Sequence, residues 1–260
     1  MKVLLKLIGP ILKPVDDMSV FKCWGCRGLL GSDLQNELGG VCINNLDTTF
    51  TENDIILNMR ESSSKRAAQD NVTNFLFESA SKSIRLYNAL RDTDARLIYF
   101  STIDFNEDLY CDIKRWLEKL PSSFITKNKF KVVRLPGIVG SKLRKGPIYD
   151  VVQSKLYTDK NIDLNIIDTQ EVCRFVRYLG KNWEEEPIAM NLTPSNSISL
   201  RNIWSIVHND CRCENPFDNH KSTDSNFVQA KNTNFSNFEL HSSEFYLKRF
   251  LKKYGKICNQ

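Results

Sequence analysis

The sequence lacks any apolar run approaching the roughly 20 residues that a membrane-spanning helix needs. It also lacks a strong charge of either sign, since Lys and Arg number 36 against 31 Asp and Glu. So small an excess, with no basic arm, falls far short of a nucleic-acid footprint, though it suits anionic small molecules. Glycine (11) and proline (8) are too few for a collagen-like or low-complexity chain. No secretory leader is readable either: Met1 to Pro10 opens like one, but Lys6 and Pro10 interrupt the apolar stretch and no small-residue cleavage site follows. Residues 1–17 are read as an N-terminal extension, with Met18 an alternative start. What remains is an ordinary globular composition, 41% hydrophobic and 26% charged over 260 residues, enough for one large domain or a domain with a small companion. The expectation is a cytoplasmic enzyme or binding domain without nucleic-acid or membrane partners.

Eight cysteines scattered over this length are no disulfide framework, and the sequence predicts mostly reduced, small apolar side chains. Cys23-Trp24-Gly25-Cys26 has redox-motif spacing, but the glycines behind it belong to another pattern. His208, Cys211, Cys213 and His220 fit no common zinc template, and no metal site is expected.

Strand and helix signals alternate along the first half. Ser19–Cys23 reads as a strand that runs into the turn Gly25-Cys26-Arg27-Gly28-Leu29-Leu30-Gly31, and Ser32–Leu38 has helical spacing. Val41–Ile43 is a second strand ending at Asn44-Asn45, and Asp54–Met59 a strand buried on both faces. Lys65–Leu90 repeats apolar residues at helical intervals (Val72, Phe75, Leu76, Ala80, Ile84, Tyr87, Leu90), before a strand at Arg96–Phe100, a helix at Leu109–Leu120 and a strand at Lys129–Leu135 closed by Pro136-Gly137. Such alternation predicts an α/β fold with a doubly wound parallel sheet, because parallel neighbours need crossover helices. Residues 18–140 form the expected Rossmann-type unit. Residues 141–260 supply the remaining strands and a small substrate lobe, with helices at Thr169–Leu179, Ser199–Val207 and Ser242–Tyr254.

Two groups of residues carry chemistry. Gly25, Gly28 and Gly31 between a strand and a helix allow a backbone to approach a pyrophosphate, which the free N–H groups of the helix start can bind. Tyr110 and Lys114 stand one helical turn apart, after Ser101-Thr102 at a strand end. A lysine so placed lowers a tyrosine pKa from near 10 by stabilising the phenolate, and a nearby hydroxyl can hold a reacting alcohol or carbonyl. Taken singly, such a pair reads as a surface couple.

The order of these pieces, ending in Arg134-Leu135-Pro136-Gly137-Ile138-Val139-Gly140, resembles the extended short-chain dehydrogenase/reductase family of NAD(P)-dependent nucleotide-sugar epimerases, dehydratases and reductases. The likeness covers roughly Ser19 to Val207, and the glycine turn is most similar to that of GDP-fucose synthases. The resemblance implies that Gly25, Gly28 and Gly31, with Leu29 and Leu30, bind a dinucleotide. It implies that Tyr110 is the acid/base, Lys114 its activator and a holder of the nicotinamide ribose, and Thr102 with Ser101 the substrate hydroxyls. Asn58, Met59 and Pro136 would line the coenzyme. Arg27 would face an adenosine 2′-phosphate, and Asn44 stands where an NAD enzyme carries a carboxylate, so NADP(H) is expected over NAD(H); Arg27 as a solvated loop residue is the alternative. Lys142, Arg144 and Lys145 either hold the diphosphate of a nucleotide-sugar or form a solvated basic loop.

The implied function is an oxidoreductase or epimerase acting on a nucleotide-activated sugar, as in surface polysaccharide synthesis, and by analogy a homodimer. Trp24 replaces the family's threonine, and Tyr110 follows Thr102 by only eight positions. These departures keep a catalytically silent nucleotide-binding member, a sensor or partner subunit, as the alternative.

Overall fold

In the computed structural model, residues 19–61, 65–103, 108–154, 161–208, 215–217, 232–235 and 237–255 are described. The expected N-terminal extension, with Cys211, Cys213 and His220, lies outside them.

Six parallel strands form the central sheet: β1 (Val20–Trp24), β2 (Val41–Ile43), β3 (Asp54–Asn58), β4 (Arg96–Thr102), β5 (Phe130–Leu135) and, late in the chain, β9 (Ala189–Asn191). Their order is β2-β1-β3-β4-β5-β9. The chain winds outward from β1 to β2 and then, from β3, in the opposite direction. This makes the carboxyl ends of β1 and β3 the switch point where doubly wound sheets bind ligands. Residues 44–53 return from β2 to β3 without a helix or strand of their own. Among the described residues the usual dinucleotide order, with a further strand outside β2, is not completed on that side.

Strand side chains alternate between two cores, as the pleat requires. Cys23, Ile55, Leu57, Ile98, Phe100 and Val133 face α1 (Leu29–Leu38) and α6 (Thr169–Lys181). Trp24, Ile56, Leu97, Tyr99 and Val132 face α3 (Val72–Leu90) and α4 (Leu109–Lys119). All five residues of β3 are buried, as its apolar run predicts. At its entry Asp54 Oδ2 accepts from Lys22 Nζ at 2.8 Å and from Thr51 N at 2.6 Å, so the one acid there is paired.

Several boundaries differ from the sequence reading. Helix α1 starts at Leu29 rather than Ser32, because Gly28 already serves as its N-cap. The stretch expected as one helix is split into α2 (Lys65–Asp70) and α3 by Asn71, whose side chain accepts from Asn74 N and restarts the helix. The buried face of α3 runs through Phe75, Ser79, Ser83, Leu86, Tyr87 and Leu90, while Val72 and Leu76 are exposed. Two serines replace part of the apolar stripe because that face meets a polar cluster.

Beyond β5 the chain builds the smaller lobe. Pro136 is followed by β6 (Gly137–Val139), a strand where only a turn was expected, and β6 pairs in parallel with β8 (Ile166–Asp168). A second two-stranded sheet joins β7 (Asp163–Leu164) to β10 (Ile198–Ser199). Val139, Ile148, Ile166, Leu200, Ile203, Leu247 and Phe250 give this lobe its own core, drawn from α5 (Pro147–Val152), α7 (Leu200–Val207) and α8 (Ser243–Tyr254). Arg249 of α8 forks onto Asp168 and reaches Glu171 at 3.3 Å, which fastens the last helix to α6.

Candidate functional site

The turn after β1 explains its own glycines. Gly25 has φ +109°, and a Cβ there would stand 2.7 Å from the backbone of Met59 and Arg60, so only glycine lets the two strand ends approach. At Gly31 a Cβ would fall 2.1 Å from Gly25 O, because the first turn of α1 packs directly on the bend. Gly28 is different. A Cβ there would meet only Gly25 O, at 3.8 Å, and space is open above it. It caps α1 with no side-chain bond, leaving the helix's first N–H groups free for an anion. The three glycines thus divide into a bend, an open approach and a packing contact, which is the division a pyrophosphate cradle needs. Leu29 is half-buried in the open turn, and Leu30 packs on the α1 core.

Around the cradle, Arg27, Asn44 and Asn45 are exposed. The guanidinium of Arg60 stacks 4.2 Å above the Trp24 ring, whose indole nitrogen is buried without a hydrogen-bond partner. One pairing was not foreseen from the sequence: Cys26 of the turn and Cys42 of β2 form a disulfide, Cα to Cα 5.9 Å. Their Cα atoms fall within the range a disulfide spans because the bend folds back beside β2, a proximity that spacing along the chain does not reveal. Cys23 and Cys173 are buried free thiols, and Cys111 is buried as well.

Across the switch point, β3, β4, α3 and α4 enclose a polar cluster centred on a residue the sequence reading missed. Glu61, just after β3, accepts from Lys114 Nζ at 2.7 Å, Tyr99 OH at 2.6 Å and Ser83 Oγ at 2.6 Å. Asn58 turns its amide to Ser83 and Tyr87, 3.5 and 3.4 Å away, so its side chain lies inside the cluster, while Met59 packs on the opposite core. Tyr110 stands next to this cluster, with Lys114 Nζ 6.0 Å from its ring and Phe75 tilted against it at 6.0 Å.

Burial raises the Tyr110 phenol above its ordinary range, and the nearby Lys114, which pulls it down, does not reverse this. Lys114 does act in the expected direction, but its ammonium is engaged by Glu61 and its pull is outweighed by desolvation, so the net shift is upward. Burial also works against the charge of Lys114 itself, but Glu61 and Tyr110 more than offset it, and the lysine is held above its usual value. Tyr99, buried against Glu61, is likewise pushed up.

The pleat of β4 sorts the two candidate hydroxyls. Ser101 follows the parity of Leu97 and Tyr99 and so lies on the face of Tyr110 and Lys114, whereas Thr102 follows Phe100 onto the opposite face. Ser101 Oγ is buried without a hydrogen-bond partner. Helix α4 is held to this face from both ends: its N-cap Asp108 accepts from Cys111 N at 2.8 Å and Lys65 Nζ at 3.1 Å, and Glu118 takes a forked bond from Arg134 of β5. A cleft of about 440 Å³ opens beside Glu61, lined by Ala67, Asn71, Phe75, Glu78 and Lys82 among others. Pro136 is half-buried after β5, and Lys142, Arg144 and Lys145 are exposed on the loop after β6. His208, from the zinc candidates, places Nε2 3.1 Å from Val151 O.

Comparison with known structures places this architecture. No family model matches the sequence, and no curated protein matches it. Among solved structures, an epimerase from the methanogen Methanothermobacter thermautotrophicus superposes with a TM-score of 0.62 at 13% identity, over 94% of this chain and 95% of that one. A UDP-N-acetylglucosamine 4-epimerase from Methanobrevibacter ruminantium gives 0.61 at 12% identity over 77% and 84%. A UDP-glucose 4-epimerase from Thermus thermophilus, solved with NAD, gives 0.56 at 13% over 73% and 82%. The chain therefore has the Rossmann-type fold of these enzymes.

Proposed function

We propose that the protein is a nicotinamide-dependent enzyme that oxidises, reduces or epimerises a nucleotide-activated sugar. The observation that carries this reading is the pairing of an open pyrophosphate cradle at Gly28 with Tyr110, Lys114 and the unpaired Ser101 hydroxyl, across the switch point of a sheet shared with known epimerases. In this reading Gly25 to Gly31 hold the pyrophosphate, and Met59 and Pro136 flank the nicotinamide half. Bound there, the coenzyme supplies the hydride chemistry that no protein side chain provides.

The chain's own residues handle the proton and the geometry. Tyr110 gives a proton to, or takes one from, the sugar oxygen, and Ser101, on the same face, orients that oxygen, while Thr102 at the strand end faces the other side. Lys114 lowers the cost of a phenolate once it turns from Glu61 towards the coenzyme ribose, and Glu61 keeps it charged until then. Arg27 beside the cradle, with Asn44 and Asn45 where an acid would favour NAD, supports NADP(H) as the preferred form and NAD(H) as the lesser one. Lys142, Arg144 and Lys145 take the diphosphate of the sugar donor.

Exposed Val72, Leu76 and Phe77 on α3, with Leu109 and Trp116 on α4, form the face on which a second copy would dock as a homodimer. Surface polysaccharide synthesis is the pathway that such a substrate suits, and a cytoplasmic site is where nucleotide-sugars and reduced coenzyme meet. Among the described residues no helix is long and apolar enough to cross a membrane.

Turnover of UDP- and dTDP-hexoses with NADPH or NADH tests the reading. Tyr110→Phe is expected to lose at least about 100-fold in kcat, the scale of general acid–base catalysis, while nucleotide affinity is retained. Nucleotide binding without turnover in either protein would assign the fold to a silent nucleotide-binding role, and equal turnover in both would remove Tyr110 from the chemistry.

A further inference from the structure

We propose that Cys26 and Cys42 are a thiol–disulfide exchange site whose state sets how firmly the phosphate turn holds a dinucleotide; this rests on the coenzyme reading above. Cys26 lies within the turn, between the strained Gly25 and the helix-capping Gly28, and Cys42 lies on β2, two residues before Asn44. The bond closes over a separation of 16 residues, and so clamps the whole β1–turn–α1–β2 unit that would bind the adenosine half of the coenzyme. Asn44 Oδ1 stands 3.7 Å from the Cys42 sulfur, which puts the linkage at the end of the strand where the ribose is read. Among the described residues no other side-chain hydrogen bond or ion pair joins the turn to β2. The bend is built from glycines, the residues that resist motion least, so this covalent tie adds to the backbone bonds and close packing that hold it.

Access selects the pair through Cys42, since Cys26 itself is only 6% exposed. Cys42 is half-exposed, with the exposed Arg27 next to Cys26 to draw in an anionic thiol. Among the described residues, the thiols of Cys23 and Cys173 are sealed: both are at most 1% exposed, and burial pushes them up to about 12, which leaves almost no thiolate to react. A low-molecular-weight disulfide of the glutathione class is the oxidant and the corresponding thiol the reductant. In the oxidising direction the Cys42 thiolate attacks the small disulfide and expels one thiolate, giving a mixed disulfide. Cys26, as thiolate, then attacks the Cys42 sulfur and expels the second. The two cysteines lose two electrons and two protons, and the small disulfide leaves as two thiols. Oxidised, the turn is pre-organised for the pyrophosphate. Reduced, it must be ordered by the ligand, and affinity falls accordingly.

The test equilibrates the full chain in buffers of reduced and oxidised glutathione, blocks free thiols with iodoacetamide, and maps the Cys26 and Cys42 peptides by mass. The same samples are titrated with NADPH and NADH by tryptophan fluorescence. Both peptides should be blocked in reduced buffer and protected together in oxidised buffer. Nucleotide should bind at least threefold more tightly to the oxidised form, and Cys42→Ser should bind like the reduced form in either buffer. Blocking of both peptides in oxidised buffer, persistence of the bond in fully reducing buffer, or equal affinity in the two states would overturn the proposal. If neither form binds either nucleotide, the coenzyme reading and the coupling both fall, and the peptide map alone decides whether the pair exchanges.

Discussion

Glu61 illustrates why single residues resist reading from a linear sequence. Its three partners, Ser83, Tyr99 and Lys114, come from α3, β4 and α4, and no spacing rule links them. The one signal was indirect: a lysine on the inward face of a helix needs a counter-ion, and an acid directly after a buried strand is well placed to be it. Both side chains are sealed, with exposures of 7% for Lys114 and 4% for Glu61, so removing one leaves the other charge uncompensated. Glu61→Gln should therefore destabilise the fold by about 3 kcal/mol, read as a lower midpoint in urea unfolding. A change within about 0.5 kcal/mol, the range of an ordinary surface substitution, would mean that the pair is solvated in solution. Tyr110 and Lys114 were legible because they share one helix turn. That Tyr110 is raised rather than lowered was not, because burial by Phe75 and the capture of Lys114 by Glu61 are both tertiary effects.

Elements were more legible than their ends. The strand–turn–helix opening is visible from Gly25, Gly28 and Gly31, but the separate duties of the three glycines appear only with coordinates, since each depends on what lies opposite. That division makes a contrast. Gly31→Ala puts a Cβ 2.1 Å from a carbonyl oxygen of the backbone and should cost about 3 kcal/mol of stability as α1 is pushed off the bend. Gly28→Ala meets nothing closer than 3.8 Å, and should change stability by less than about 1 kcal/mol, the difference between glycine and alanine at a helix cap, while weakening nucleotide binding. Thermal melts of the two variants, with binding measured on the second, check both. Helix α3 shows the reverse lesson: its period was readable, but the phase of its buried face was not, because Ser79 and Ser83 face inward and Phe77 faces out.

For the whole molecule, alternation of strand and helix signals was enough to give a parallel sheet, because parallel neighbours need crossover helices. The missing outer strand beyond β2 was not foreseen, although the short Asn44-to-Asn53 link is too brief for a helix and a strand. The lobe after Gly140 was only partly readable, since its sheets are two strands each and β7 and β10 span two residues apiece. At alkaline pH the fold is governed mostly by groups displaced upward, against Lys131, which burial pushes down. Lys114, Tyr87, Tyr99, Tyr110 and Tyr246 all bind their protons more tightly when folded. The unfolded chain therefore releases protons first, so their stabilisation is whole below pH about 10, the unfolded tyrosine and lysine range, and is lost as pH rises beyond it. Melts between pH 7 and 11 should show little loss from these groups below pH 9 and a steep fall above 10. A midpoint that rises into the alkaline range would contradict the burial of that cluster.

The account depends on a dinucleotide seated over Gly28. Calorimetric titration of NADPH into the purified chain and into Gly28→Asp, which sets a carboxylate against the pyrophosphate, tests it directly. Saturable one-to-one binding by the wild type, weakened at least about 100-fold (roughly 2.7 kcal/mol) in a variant that keeps its melting temperature, is the expected result. Failure of the wild type to bind NADPH or NADH, or equal binding by both proteins, would contradict it.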